Sequence, residues 1–243
     1  MAIFTQSCEQ EPDLQFTQKT YTNASLEACS TAICPKIDIH ILEAQGEIKL
    51  SQIINDTITN HVIAVLSMTP DDEKNLKSIE EALDQFISSF RQFKADFAET
   101  STDYEADVDA NISLETENLL CIAVKSYTYF GGAHGYGSVT YFNFDKNAES
   151  YLTADELIKD KSAVLKEAEE RFRKQQKIPA DGNINSTGYF FEDDKFILPK
   201  DIGFDDENLI LQYDPYDVAA YSVGQITVKI PLPEIKAYLR TDL

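Results

Sequence analysis

The sequence predicts an α+β protein: a largely antiparallel sheet packed against long amphipathic helices, arranged as two intimate subdomains. Three observations carry this. Residues 36–43 alternate apolar and polar side chains, with Ile37, Ile39 and Ile41 on one face, the period of a half-buried strand. Leu76, Ile79, Leu83, Phe86, Phe90, Phe93 and Phe97 recur at steps of three and four, the period of a helix with one apolar face. Residues 119–130 and 138–144 are apolar runs rich in β-branched and aromatic residues, joined by a glycine-rich stretch that reads as a shaped hairpin loop.

Composition bounds the possibilities. The chain has 243 residues, 43% of them hydrophobic and 11% aromatic, enough for one large domain or two subdomains. There are 21 basic and 42 acidic residues, a net charge of -21. A nucleic-acid binder must present a basic face to phosphate, so that class is excluded. An acidic surface either serves solubility alone or draws in a basic partner. No apolar run approaches the roughly 20 residues that span a bilayer.

The first 20 residues read as a signal remnant and tether. Met1-Ala2-Ile3-Phe4-Thr5-Gln6-Ser7-Cys8 resembles the end of a lipoprotein signal, which makes Cys8 a lipidation candidate; the alternative is an ordinary N-terminus with an incidental cysteine. Residues 21–117 are expected to form a strand–helix–helix–strand subdomain, and 118–243 a second α+β subdomain. Cys29 and Cys34, five apart with no further Cys or His at metal spacing, are either a short disulfide loop or two free thiols. Cys121 lies in an apolar strand and reads as a buried thiol.

Residues 47–68 follow a helical period with Ile54, Ile58, His61 and Val65 on one stripe, so His61 reads as a hydrogen-bonded core histidine. His40 falls on the polar face of the preceding strand with no visible partner. Thr69 as N-cap, Pro70 at the first position and Asp71, Asp72 and Glu73 in the first turn predict one helix of nearly 30 residues, about 43 Å long. Asp103, Glu105, Asp107 and Asp109 alternate with Tyr104, Ala106, Val108 and Ala110, which reads as an acidic, solvated strand face. Thr153 and Glu156 form a capping box, with Leu152 and Leu157 as a hydrophobic staple; the helix it opens runs to about residue 176 with a break near Asp160. After a loop at 179–188 come a strand (208–213), a turn at Asp214-Pro215-Tyr216-Asp217, a strand (225–230) and a short helix opened by Pro231 and Pro233.

The glycine-rich stretch is where function is sought. Four of the nine glycines fall within Gly131-Gly132-Ala133-His134-Gly135-Tyr136-Gly137. His134 either locks the hairpin or joins Tyr127, Tyr129 and Tyr136, with Gly131 and Gly132, in an aromatic recognition surface; the same two readings apply to Tyr216 and Tyr221.

The loop Tyr129-Phe130-Gly131-Gly132-Ala133-His134-Gly135, the Leu152-Thr153 helix start and the segment from Tyr213-Asp214-Pro215-Tyr216-Asp217 to Gly224 resemble the extracellular domain of the RsiV anti-sigma factor family, over residues 118–239. Cys34-Pro35-Lys36-Ile37 and the helices after it resemble the domain that precedes it in peptidoglycan deacetylase-associated envelope proteins. The resemblance implies a stand-alone, exported lipoprotein of the cell envelope, facing the periplasm or cell surface and anchored only through lipid. It implies a basic protein such as lysozyme, or peptidoglycan, as partner. An enzyme is not expected, nor a cofactor or metal: His40, His61 and His134 lie in three different elements, and the Gly-x-Ser-x-Gly, P-loop and dinucleotide fingerprints are absent. A metal-dependent envelope hydrolase is the remaining alternative.

Overall fold

The computed structural model describes residues 14–46, 48–73 and 75–240. Fifteen helices and strands organise them: β1 (Gln15–Thr22), β2 (Lys36–Gln45), α1 (Lys49–Leu66), α2 (Pro70–Glu73), α3 (Ile79–Asp96), β3 (Glu105–Glu115), β4 (Leu119–Tyr129), β5 (Tyr136–Asp145), β6 (Ser150–Leu152), α4 (Ala154–Leu157), α5 (Lys161–Gln175), β7 (Asp201–Phe204), β8 (Asn208–Tyr213), β9 (Ile226–Pro231) and α6 (Leu232–Ile235). The fold is α+β, as the sequence predicts. Six strands form one sheet in chain order, β1 to β6, and three form a second, β7-β8-β9. Every pair is antiparallel except β2 with β3. A parallel pair needs a crossover, and α1 and α3 supply it.

The crossover helices cover one face of the large sheet. There Ile37, Ile39 and Ile41 of β2, Val108 of β3 and Ile122 and Val124 of β4 pack with Ile54 and Ile58 of α1 and Leu83, Phe86 and Phe90 of α3. On the opposite face, Leu119 and Cys121 of β4 pack with β7–β9 and with Val164, Ala168 and Phe172 of α5. Strand β4 therefore buries both faces at its start, which is why residues 119–124 are apolar without alternation. The subdomain boundary expected at 117/118 falls inside the β3–β4 hairpin; the two cores are divided by a sheet, not by a point in the chain.

The sheets meet at Gly203. A Cβ built there lies 2.0 Å from the ring of Tyr141 on β5, so β7 reaches this distance only without a side chain. Beside it, the Asn143 amide donates to Ile202 O at 2.7 Å across the interface.

Several expectations are corrected. Residues 15–20 are not tether: β1 pairs with β2 along its whole length, and the buried Tyr21 donates its hydroxyl to Glu80 at 2.7 Å. The expected long helix is broken. Segment α2 has four residues, and α3 starts afresh behind Ser78, whose hydroxyl accepts from Glu81 N while Glu81 accepts from Lys77 N at 2.7 Å. Ser78 is thus a side-chain N-cap, and this start leaves α3 with 18 residues, with Leu76 before it and Phe97 just beyond it. His40 has partners: its ring nitrogens lie 2.8 Å from Asp38 Oδ1 and 3.2 Å from Thr20 Oγ1. Strands β6 and β7 are too short to show a period. Cys29 and Cys34 form a disulfide, and Cys121 is buried. Cys8 lies outside the described residues.

His61 differs as well. The fully buried stripe of α1 runs through Leu50, Ile54, Ile58, Val62 and Leu66, and His61 lies beside it. Its ring meets Phe142 edge-on at 5.2 Å, and its buried Nε2 has no hydrogen-bond partner among the described residues. Burial lowers its pKa from 6.5 to about 4. The unfolded chain therefore takes up this proton first as pH falls. The histidine's contribution to stability is whole above pH 6.5 and is lost as pH falls toward 4, a cost that reaches about 3 kcal/mol.

Two measurements check these points. Subtracting the unfolding free energies of His61→Leu from those of the parent, across pH 7 to 4, should isolate this loss; a difference independent of pH would contradict the burial of a neutral ring. Gly203→Ala should lower stability by about 1–3 kcal/mol in denaturant titration, because Tyr141 must be displaced; an unchanged midpoint would show that the sheets are not in contact there.

Candidate functional site

Two segments distant in sequence meet at one end of the molecule: the β4–β5 loop and the connection from β8 to β9. His134 stacks on Tyr221 with ring centroids 3.8 Å apart and 19° between planes. Its Nδ1 lies 3.0 Å from Gly135 O, and its Nε2 lies 3.2 Å from the Tyr216 hydroxyl. A carbonyl only accepts, so these partners assign the hydrogen to Nδ1 and make Nε2 the acceptor from Tyr216. Tyr221 donates its hydroxyl to Gly135 O at 2.7 Å, and its ring lies 5.6 Å from that of Tyr216. One histidine and two tyrosines thus fasten the hairpin to the other sheet's turn.

The turn is held by Asp214, a carboxylate only 8% exposed. It accepts from Val139 N on β5 at 3.1 Å, from the Gln212 amide at 3.3 Å and from the Gln225 amide at 3.2 Å. Its own N–H donates to Asp217 at 2.8 Å, and Asp217 N returns a bond to Asp214 O at 3.1 Å. Burial raises the Asp214 pKa, and the donors pull it back. Between the two aspartates Tyr216 has φ +76°, a left-handed backbone that is costly for an aromatic residue and is kept only where its surroundings enforce it. That conformation presents a ring 54% exposed. Nearby Asp201, at the start of β7, is pushed up to about 6, chiefly by burial and then by the charge of Asp214.

Each predicted residue can now be placed. His134, Tyr216 and Tyr221 come together. Tyr127 stands beside them: a Cβ on Gly135 would fall 2.3 Å from its ring, so this glycine is what lets Tyr127 lie against the loop. Tyr129 donates to Gly132 O at 2.8 Å and clips the loop shut. Gly131 has φ +78°, with the rings of Phe93 and Tyr104 3.1 Å from a built Cβ. A Cβ built on Gly132 meets nothing within 4 Å, so packing does not require a glycine there. Tyr136 is not part of the group. It is paired with Thr128, whereas Tyr127 is paired with Gly137, so Tyr136 points to the opposite face of the sheet. Its hydroxyl is pushed up to about 12 by burial and by Asp214, Asp217 and Asp201.

Beside the stack lies an open cleft of about 500 Å³, lined by Lys125, Ser126, Tyr127, Gly137, Ser138, Val139, Pro215, Tyr221, Gly224 and Gln225. The arrangement offers ring faces, hydroxyls, amides and bare backbone. Among the described residues no three metal-binding side chains converge. Sequence reasoning missed Lys125, Gly135 and Asp214. The glycine and the turn aspartate stood within stretches already singled out, whereas nothing in the sequence marks Lys125.

Comparison with known proteins divides the chain in two. Residues 29–136 match the family model described as "Deacetylase PdaC", and residues 145–232 match "Protein of unknown function (DUF3298)". Tyr127 and His134 fall in the first stretch and Tyr216 and Tyr221 in the second, so the site needs both. The chain is 24% identical over 205 residues to the peptidoglycan-N-acetylmuramic acid deacetylase PdaC of Bacillus subtilis (strain 168). That match takes in 80% of this chain and 42% of the relative, so the chain spans less than half the relative's length. Crystal structures of DUF3298 family members from Bacteroides fragilis and Pseudomonas aeruginosa PAO1 resemble the fold, with TM-scores of 0.60 and 0.61. Each is 18% identical, with 94% of this chain and 93% of the other covered. Among the described residues no helix is long and apolar enough to cross a membrane.

The hub role of Asp214 is open to test. Asp214→Ala leaves the part-buried Val139 N–H without its acceptor, which should cost about 1 kcal/mol and speed amide exchange at Val139 and through the 214–217 turn. Unchanged exchange at Val139 would remove the carboxylate from this role.

Proposed function

We propose that this chain is an exported binding module of the cell envelope that holds a saccharide of the peptidoglycan class in the cleft beside the His134–Tyr221–Tyr216 stack. The observation that carries the reading is the cleft itself. Its size falls within the usual range for small-ligand sites, about 300–1,000 Å³. Two tyrosine rings, Tyr127 and Tyr221, share its walls with Lys125, Ser126, Ser138 and Gln225, and the rings are fixed before any ligand arrives. Tyr221 is held by Gly135 and His134, and Tyr127 lies against Gly135. Preorganised rings give contact area at low entropic cost. The relative named a peptidoglycan-N-acetylmuramic acid deacetylase lends the substrate class. Lipid anchoring at Cys8 is part of this proposal, as the route by which the module stays at the envelope.

A second reading has its own support. A net charge of -21, with exposed Asp217 next to exposed Tyr216, suits a basic protein docked over the same surface, with lysozyme the partner implied by the RsiV resemblance.

The two readings separate in one experiment. The purified chain is titrated with soluble N-acetylglucosamine oligomers and, separately, with lysozyme, each at low and at moderate salt. Saccharide binding that salt leaves unchanged, and that Tyr127→Ala weakens about tenfold, supports the first. Saturable lysozyme binding that falls steeply with salt and with Tyr216→Ala, without saccharide binding, transfers the site to the second.

A further inference from the structure

The cleft carries one charge, and it is positive. Of its ten lining residues Lys125 alone is ionisable to a full charge at neutral pH, in a chain with twice as many acidic as basic residues. Lys125 and Tyr127 are two apart on β4, so they project from the same face of the strand about 6.7 Å apart. The register sets Lys125 directly opposite Asp109 of β3, the position from which a cross-strand ion pair would form. It does not form within 4 Å: Asp109 instead accepts from the Asn111 amide at 2.6 Å, and Lys125 has no ion pair among the described residues. Lys36, by contrast, is paired with Glu105 on the same sheet face. The Lys125 ammonium is left exposed, beside an aromatic wall.

The cleft's glycines leave the backbone bare. A Cβ on Gly137 would meet only ordinary contacts, at 3.7 Å and beyond, and one on Gly224 would meet nothing within 4 Å. Packing leaves room for a side chain at Gly137, whereas Gly224 has φ +76°, a backbone that itself calls for glycine; the bare backbone at both lets a ligand approach between Tyr221 and Lys125.

We infer that Lys125 forms an anion subsite of this cleft, so that the module selects a saccharide bearing a carboxylate over its neutral counterpart. The inference rests on the saccharide reading above and names the ligand class within it. A sugar ring lies against Tyr127 and Tyr221, and an acidic substituent on that ring reaches the ammonium to form a charge-assisted hydrogen bond. The net charge of -21 disfavours acidic ligands in general, so a preference for one in this cleft is due to this cation.

N-acetylglucosamine and N-acetylmuramic acid provide the probe pair, because they differ by one lactyl ether that carries a carboxylate. Both are titrated into the full chain, its Lys125→Gln variant and its Lys125→Arg variant, with chemical-shift mapping of the site. The expected result is N-acetylmuramic acid binding about tenfold tighter than N-acetylglucosamine. That preference should be abolished by Lys125→Gln, kept by Lys125→Arg and reduced by salt. Equal affinities for the two sugars, or a preference that survives Lys125→Gln, would overturn the subsite and leave the saccharide reading standing. No binding of either sugar by the folded parent would overturn both. Lys125 is exposed at the surface, so the variants should fold, and unchanged shifts away from the cleft verify this.

Discussion

One buried carboxylate governs how the two halves of this molecule meet. Strand β5 is paired with β6 only at residues 143–145, so its earlier part presents an unpaired edge. A bare edge is both a liability for aggregation and a set of unsatisfied donors. Asp214 answers this at Val139, and Asp201 does so at Tyr141. Both aspartates belong to the second sheet or its turn. Satisfying the β5 edge therefore attaches the small sheet to the large one, and attaches it at the end where the glycine-rich loop lies. Burial raises the pKa of each carboxylate and the bonds lower it again, so burial, charge repulsion and edge protection meet in the same few residues.

The same attachment builds the site. Asp214 and Asp217 close a turn in which Tyr216 must take a left-handed backbone, and the turn holds its ring against His134. His134 in turn is oriented by the carbonyl beside it and by the face of Tyr221. Neither the loop nor the turn has enough internal bonds to set these rings alone. Each serves as the other's template, and the cleft is the space left between them.

Glycines set the two closest approaches, and they do different work. Gly203 lets β7 lie on Tyr141, which brings the sheets together. Gly135 lets Tyr127 lie on the loop, which shapes the cleft wall. Gly137 meets no such contact, and Gly224 is required by its φ of +76° and not by a close neighbour.

The sequence by itself determined the fold class, most strands and helices, the capping box at Thr153 and the buried Cys121, while it left the pairing of Cys29 with Cys34 open. These depend on period, on caps and on spacing, all local properties that a chain displays without its tertiary partners. It also marked the glycine-rich stretch and the 214–217 turn as special, because glycine and turn residues state backbone needs directly. Local signals misled where two competed: Pro70 announced a helix start, yet α3 begins behind the N-cap Ser78. Strands β1 and β7 escaped notice because their character comes from neighbours: β1 from pairing with β2, β7 from packing on Tyr141. The meeting of His134 with Tyr216 and Tyr221, 82 and 87 residues away in the chain, was decided only by tertiary structure. So were the unpaired Lys125 and the hub at Asp214. The physical reason is common to all three: whether a polar side chain is satisfied, strained or free is a property of what surrounds it in space, and sequence order does not record that neighbourhood.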